Sequence, residues 1–360
     1  MKLKLLDSKF SEIKSINSLE IDNGNKTLVI MSRGGKERGY KGILESLIKT
    51  KLNKAQEIFV NSYPSLKNLE ELISNNSSNM FTNVIAVGGG SVIDTAKILT
   101  SFIGVNNPMS LKNTIGSTDI LSSNIKKPHL TVIPTTAGTG AEATQFATIW
   151  DRENNKKYSL DHPNLLPDAV YFVPELLFTN SYKTLLFTAL DTLSHSLESI
   201  WNINATKDSL EYSSKSIQNS FVYKNLDLNT NEFSTLKSLL KASYYSGKAI
   251  NITRTSVAHS ISYPLTLKYD VPHGLACSFT LEAIYKICEI NTDNSEKLNI
   301  MIRDSLKNLK KLSLNKELNN YLSLNQSLEL IDEMITKERV RTFSGNIDKE
   351  TIKEILRASF

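Results

Sequence analysis

The chain has 360 residues, enough for two domains with separate cores, and its 40% hydrophobic and 22% charged residues are ordinary for a soluble protein. A formal net charge of +5, small and dispersed, argues against a nucleic-acid partner and is compatible with an anionic small substrate. Charges break the apolar stretch of MKLKLLDSKFSEIKS, so no signal peptide or membrane partner is expected. Cys277 and Cys288, the only cysteines, do not make a disulfide framework, and the cytoplasm is the expected location.

The first half alternates short apolar runs with helical patterns, as βαβ units do. TLVIMS (27–32) reads as a strand and YKGILESLIKTKL (40–52) as a helix; EIFVNS and SLKNLEELISNN repeat the pair. NVIAVGG (83–89) reads as a strand running into the helix VIDTAKILTSFI, and LTVIPT (130–135), QFATIW (145–150) and AVYFVP (169–174) add strands. Residues 106–128 have no period and read as a loop. After Pro174 the texture changes to long amphipathic segments, SYKTLLFTALDTLSHSLESIWN, STLKSLLKASYYSGKAINI and IDKETIKEILRAS, with no convincing strand between them. The expected division is an α/β domain over 1–177 and an all-helical domain over 178–360.

Two small-residue loops follow strands in the first half. Gly88-Gly89-Gly90-Ser91 opens a helix, where a bare backbone and free N–H groups suit a pyrophosphate. Ser91 is placed to cap that helix, with Asp94 in a capping-box position. This is not GxGxxG, and alone it is equally a well-capped glycine turn. The second loop, Pro134-Thr135-Thr136-Ala137-Gly138-Thr139-Gly140, offers hydroxyls and amides to ribose and phosphate oxygens. Two such loops after neighbouring strands favour a dinucleotide.

In the second half Asp191 and His195 stand four apart, hence on one helix face, and His259 and His273 follow. The helix is apolar around them, with Phe187, Leu190 and Leu197, and a buried carboxylate without a partner costs on the order of a few kcal/mol. One carboxylate with three imidazoles suits Fe(II) or Zn(II), with room for a substrate oxygen. His129 and His162 lie beside prolines in loop-like stretches and read as structural.

The run GGGSVIDTAK, PTTAGTGAEAT, ALDTLSHSLES, then AHSISYPL…VPHG resembles the iron-containing (group III) alcohol dehydrogenase family, in the family's order over roughly residues 25–285. The resemblance implies an N-terminal Rossmann-like α/β domain and an all-α C-terminal domain, the dehydroquinate synthase-like architecture, with NAD(P) and a metal in a cleft between them. It implies metal ligation by Asp191, His195, His259 and His273. It also implies cofactor contacts from Gly89, Gly90, Ser91, Asp94, Thr135, Thr136 and Thr139, with Lys157 near the ribose, and it allows a homodimer.

Three positions depart from the family pattern. Tyr263 stands where many relatives carry a histidine suspected of relaying protons, so a tyrosine hydroxyl or water takes that role here. The first strand ends Met31-Ser32-Arg33-Gly34-Gly35-Lys36 without the aspartate that repels a 2′-phosphate, which leaves room for NADP. Ala141 replaces a common serine. The stretch GKAINITRTSVAHSISYPLT resembles, within the family, the branch that reduces phosphonoacetaldehyde to 2-hydroxyethylphosphonate. Arg254, with Lys248 behind it, is then the candidate for the phosphonate, a solvated helix charge being the plainer alternative. The expected activity is metal-dependent, NAD(P)H-linked reduction of a small aldehyde. Butanol or glycerol dehydrogenation, a dehydroquinate synthase-like lyase and a non-catalytic nucleotide module are the alternatives.

Overall fold

The structure, a computed structural model, describes residues 9–11, 27–48, 55–61, 64–105, 111–115, 127–151, 156–220, 232–288 and 295–360. The chain divides into two compact units, Met1–Thr136 with Ala141–Asn180, and Ala137–Gly140 with Ser181–Phe360.

In the first unit the strands are β1 (Lys9–Ser11), β2 (Thr27–Ser32), β3 (Gln56–Val60), β4 (Asn83–Gly88), β5 (His129–Pro134), β6 (Phe146–Asp151), β7 (Lys156–Asp161) and β8 (Ala169–Tyr171). Six of them form a parallel sheet in the order β1-β8-β5-β4-β2-β3. Counted from β2, the inner order is 2-1-3-4-5, a doubly wound arrangement whose direction reverses between β2 and β4. In β2, β4 and β5 nearly every residue is buried, as expected of strands covered on both faces. Helices α1 (Tyr40–Ile48), α2 (Leu66–Asn76) and α3 (Gly90–Phe102) supply crossovers. A core of Val29, Met31, Tyr40, Leu44, Ile85, Val87, Ile133, Val173 and Leu176 lies on one side of the sheet.

QFATIW forms a strand as expected, β6, which pairs antiparallel with β7 in a separate two-stranded sheet. β7 is not legible in the sequence because KKYSLD, with Lys156, Ser159 and Asp161 exposed, offers no apolar run to read. Within 106–128, Leu111–Thr114 makes a helical turn and 106–110 and 116–126 lie outside the described residues.

The second unit is built on α4 (Tyr182–Ile200), α5 (Lys207–Asn219), α6 (Phe233–Thr253), α7 (Val257–Tyr269) and α8 (His273–Ser278), followed by short helices and α9 (Lys349–Ser359). Among the described residues its only β pairing is an isolated bridge, Asn202 with Phe343. Ser181 caps α4, and every residue of α4 from Ala189 to Ile200 is buried. Small hydroxyl side chains stitch its neighbours to it: Ser194 Oγ donates to Cys277 O at 3.0 Å, Ser278 Oγ to Leu190 O at 2.9 Å, and Ser196 Oγ to Ser216 Oγ at 2.8 Å. Among the described residues no helix is long and apolar enough to cross a membrane.

Candidate metal centre and nucleotide loops

Asp191 and His195 project from one face of α4, with both side chains at most 6% exposed. Two helices deliver the other imidazoles. Gly274, in the first turn of α8, presses against α4: a Cβ there would sit 1.8 Å from Phe187 O and 3.2 Å from Asp191 N. Only glycine permits that approach, which sets His273, its chain neighbour, against the turn that carries Asp191.

His259 enters from the first turn of α7, and its placement depends on a residue that the sequence reading missed. Glu198, fully buried and seven residues after Asp191 on α4, aims its carboxylate at the start of α7. Its Oε2 accepts from Ser256 N at 2.9 Å, and its Oε1 from Ala258 N at 2.5 Å and His259 N at 3.3 Å. Ser256 makes no side-chain cap, so a carboxylate from another helix satisfies amides that α7 leaves open. The same Oε2 accepts from His259 Nδ1 at 2.6 Å. That bond turns Nε2 inward, the arrangement that orients metal-binding histidines. The signal was present in the sequence: Asp191, His195 and Glu198 follow helical spacing on an otherwise apolar face.

The centre is tight. His259 Nε2 lies 3.5 Å and His195 Nε2 3.7 Å from Asp191 Oδ1. The His195 and His259 rings stack at 4.6 Å, and His259 meets His273 edge-on at 5.4 Å. Tyr263, one turn after His259, stacks on His273 at 6.2 Å and meets His259 edge-on at 6.4 Å. Cys277, fully buried one turn after His273, holds its sulfur 3.7 Å from His273 Nδ1 and 3.6 Å from Nε2.

Burial pushes the Asp191 carboxyl up, but His195, His259 and His273 outweigh it and hold the group well below the usual carboxylate range. Glu198 is lowered against its burial by the His259 charge and by the N–H groups of Ser256 and His259. Burial disfavours charge on His259, yet Cys277, Glu198 and Asp191 around it raise its pKa well above an ordinary imidazole's.

These residues fit a divalent cation. Asp191 Oδ1 and His259 Nε2 are buried, face each other, and neither makes a hydrogen bond. Bonds of about 2.1 Å to oxygen and nitrogen at a tetrahedral angle put donors about 3.4 Å apart. The 3.5 Å observed is close to that edge, and long for a hydrogen bond. Among the described residues the donor atoms of Asp191, His259, His273 and Cys277 lie within 4.8 Å of one another; His195, beside Asp191 and His259, falls outside that set.

In the first unit the two small-residue loops leave the carboxyl ends of β4 and β5 side by side. Gly88 is in register with Pro134, and Thr135 N donates to Gly88 O at 3.1 Å. A Cβ on Gly89 would stand 2.8 Å from Thr136 Oγ1, so a side chain would close the gap between the loops. Gly89, and not Ser91, is the N-cap of α3, and it makes no side-chain cap bond. Helical bonding already begins with Ile93 N to Gly89 O, which puts Gly90 and Ser91 inside the first turn and dissolves the expected capping box.

Asp94 works elsewhere. Its Oδ2 accepts from Thr148 N at 2.9 Å and its Oδ1 faces Lys97 Nζ at 3.7 Å, which ties α3 to the β6–β7 hairpin. Lys97 is fully buried, donates to Thr144 Oγ1 and Phe146 O, and is lowered by its burial to about 8. Lys157, opposite Trp150 in that hairpin, lies over its ring at 5.1 Å, and its charge is felt at Asp94. Thr135 is buried and Thr136 half-buried. Thr139 belongs to the second unit, where Thr192 Oγ1 donates to Gly138 O at 3.2 Å and Ser243 Oγ accepts from Gly140 N at 3.3 Å.

Arg254 caps the end of α6 and lies outside the helix of His259; its φ 70° and ψ 171° are a backbone region almost reserved for glycine. Its N donates to Ile250 O at 2.8 Å and its Nη1 to Asn251 O at 3.2 Å. Lys248 lies over the rings of Tyr212 and Tyr244, at 4.4 and 5.9 Å. Arg33 is exposed after β2, and Lys36 lies 4.7 Å from the Phe59 ring centre.

Comparison with known proteins bears on both units. A phosphonoacetaldehyde reductase from Streptomyces viridochromogenes is 34% identical over 202 residues, 55% of this chain and 51% of that protein, so the match spans about half the relative's length. A 4-hydroxybutyrate dehydrogenase from Clostridium kluyveri is 28% identical over 80% of this chain and 76% of its own. A sulfoacetaldehyde reductase from Bifidobacterium kashiwanohense, solved in complex with NAD+, shares the fold at TM-score 0.77 and 19% identity, over 93% of this chain and 91% of that one. Residues 10–174 match the iron-containing alcohol dehydrogenase domain and residues 185–360 the C-terminal domain of the Fe-containing alcohol dehydrogenases. With both domains present in sequence order, this chain belongs to the iron-containing alcohol dehydrogenase family.

Proposed function

We propose that this chain is a cytoplasmic aldehyde reductase that converts a small aldehyde to its alcohol with NADPH or NADH. In this reading a divalent cation, Fe(II) or Zn(II), is held by Asp191, His195, His259 and His273. The observation that carries it is the buried pair Asp191 Oδ1 and His259 Nε2, facing each other at 3.5 Å without a hydrogen bond. When bound, the cation supplies Lewis-acid polarisation of a carbonyl and the dinucleotide supplies the hydride.

This chain's residues set the stage for both. Glu198 holds the His259 proton on Nδ1, so Nε2 is turned toward Asp191 and becomes the donor once its own proton leaves. The surrounding imidazoles keep Asp191 ionised at neutral pH. Burial of Asp191, His259 and Tyr263 keeps bulk water from the reacting carbonyl. Tyr263, between His259 and His273, offers the hydroxyl for passing a proton to the product oxygen. The backbone around Gly89 and Gly90, with Ser91, Thr135, Thr136 and Lys157, makes up the dinucleotide site, and Asp94 supports it by tying α3 to the β6–β7 hairpin. Arg33 and Lys36, just past β2, are placed for a 2′-phosphate.

For the substrate we favour phosphonoacetaldehyde, reduced to 2-hydroxyethylphosphonate. Two relatives, the phosphonoacetaldehyde reductase and the 4-hydroxybutyrate dehydrogenase, are named for substrates that carry an acid group. Arg254, held in a strained backbone, is the cation assigned to that group. The test is to follow NADPH and NADH oxidation with phosphonoacetaldehyde beside propanal and butanal, in iron- and zinc-loaded protein. Faster turnover of the phosphonate is expected. Equal rates would remove the phosphonate and favour a butanol or glycerol type of dehydrogenase, and turnover without net oxidation of the cofactor would point to a dehydroquinate synthase-like lyase.

A further inference from the structure

We propose that Lys97 is a positioning residue for the dinucleotide: its buried ammonium clamps the β6–β7 hairpin to α3 and so holds Lys157 where it meets the cofactor. The inference rests on the dinucleotide reading above and adds to it the residue through which Lys157 is placed.

Lys97 lies in the middle of α3 with its side chain wholly out of solvent. The ammonium donates to Thr144 Oγ1 at 3.0 Å, just before β6, and to the first carbonyl of the strand, Phe146 O, at 2.8 Å. One turn earlier on the helix, Asp94 Oδ2 accepts from Thr148 N at 2.9 Å. His162 N donates to Gln145 O, so Gln145, Ala147 and Ile149 face β7, and Phe146 and Thr148 turn their backbone groups to the opposite edge. Two side chains of α3 therefore serve the edge of β6 that β7 leaves open.

The same hairpin carries Lys157, opposite Trp150 and 5.1 Å over its ring. The charge of Lys157 acts on Asp94, in the second turn of the helix that the glycine loop opens. The turn offered to the pyrophosphate and the cation offered to the ribose are thus both set by α3, the first through its backbone and the second through Lys97.

Packing alone does not account for an ammonium here. A buried charge pair contributes little beyond what apolar side chains of the same volume would, and a methionine would fill this space without the desolvation cost. Burial lowers the Lys97 pKa to about 8, and Asp94 and the buried Glu142 act against it, which keeps the group charged at neutral pH. What the charge adds is a fixed register between helix and hairpin.

Fluorescence titration of the full chain with NADH and NADPH tests this as a double-mutant cycle. Lys157→Met should raise the dissociation constants roughly tenfold, the loss of one charge-assisted hydrogen bond. Lys97→Met, with Lys157 still present, should also raise them roughly tenfold, and the double variant should bind no more weakly than either single one. Should Lys97→Met fail to fold, Thr144→Val carries the same test. It should show a roughly threefold loss that is absent from Thr144→Ser, which keeps the hydroxyl, and absent when Lys157 is already methionine. Wild-type affinity in Lys97→Met, or in Thr144→Val where that variant stands in, would overturn the role of Lys97 and leave the dinucleotide site standing. Losses that multiply with that of Lys157→Met would do the same. Wild-type affinity in Lys157→Met, or a wild-type protein that binds neither dinucleotide, would instead overturn the reading of the site on which the inference rests.

Discussion

Glu198 and His259 are joined twice: the carboxylate accepts the imidazole Nδ1–H at 2.6 Å and also the His259 backbone N–H at 3.3 Å. One side chain of α4 thereby fixes both where α7 begins and how its histidine is turned. Glu198→Gln should lower metal affinity by about 10- to 100-fold, read by calorimetric zinc titration. Glu198→Ala removes one partner of a buried pair and should also cost about 3–5 kcal/mol of stability, read by denaturant unfolding of the metal-free protein. Unchanged zinc affinity in the glutamine variant would show that the bond does not orient His259.

The acid side of the metal-free protein's stability follows from the lowered pKa values of Asp191 and Glu198. Their contribution is present above the unfolded carboxylate range, about 4. It is lost as pH falls through the still lower folded values. His259 runs the other way: with a raised folded pKa, its contribution is full below the unfolded value of about 6.5 and is lost as pH rises through the folded one. At pH 7 the uncharged lone pair that a cation needs must therefore be uncovered, and binding should release a proton. Calorimetry in buffers of different ionisation enthalpy measures that release; a buffer-independent heat would contradict it.

Gly274→Ala would drive a methyl group into Phe187 O. Overpacking of this kind typically costs about 1–3 kcal/mol, and more where only backbone can yield. The relief available is to move α8 off α4, which carries His273 and Cys277 away from Asp191. A lower melting temperature together with weaker zinc binding is expected. Loss of stability alone would mean that the site tolerates the shift.

Replacing Arg33 and Lys36 together by alanine should weaken NADPH and spare NADH. A charge-assisted hydrogen bond is worth about 1.5–3 kcal/mol, so a tenfold or greater rise in the NADPH dissociation constant is expected by fluorescence titration. An equal loss for both cofactors would place these side chains away from the 2′-phosphate.

The doubly wound unit was legible because its central strands are buried on both faces and read as unbroken apolar runs between helical periods. The margins were not: the edge strand β1 is three residues long, and β7, in the separate hairpin, has polar residues and no apolar run. At the metal centre the spacing of Asp191 and His195 pointed to a shared face, and the structure gathers His259 and His273 beside them. Glu198 is harder to read: helical spacing puts it on the face of Asp191 and His195, but a glutamate there looks like any helix charge until its partners at the start of α7 are seen. The break at Arg254 is hidden for a related reason: nothing local in GKAINITRTSVAHS announces that a non-glycine residue at positive φ separates α6 from α7.

That backbone has a consequence for how the chain could be improved. At residue 254 a glycine would sit at ease where arginine is held against its preference, so Arg254→Gly should stabilise the fold even as it deletes a cation. A selection for heat resistance alone would drift toward the glycine, whereas, if Arg254 meets the acid group of the proposed substrate, a selection for growth on that aldehyde would hold the arginine. The two pressures would pull one codon in opposite directions, and sequencing the survivors of each would reveal which of them holds the arginine in place.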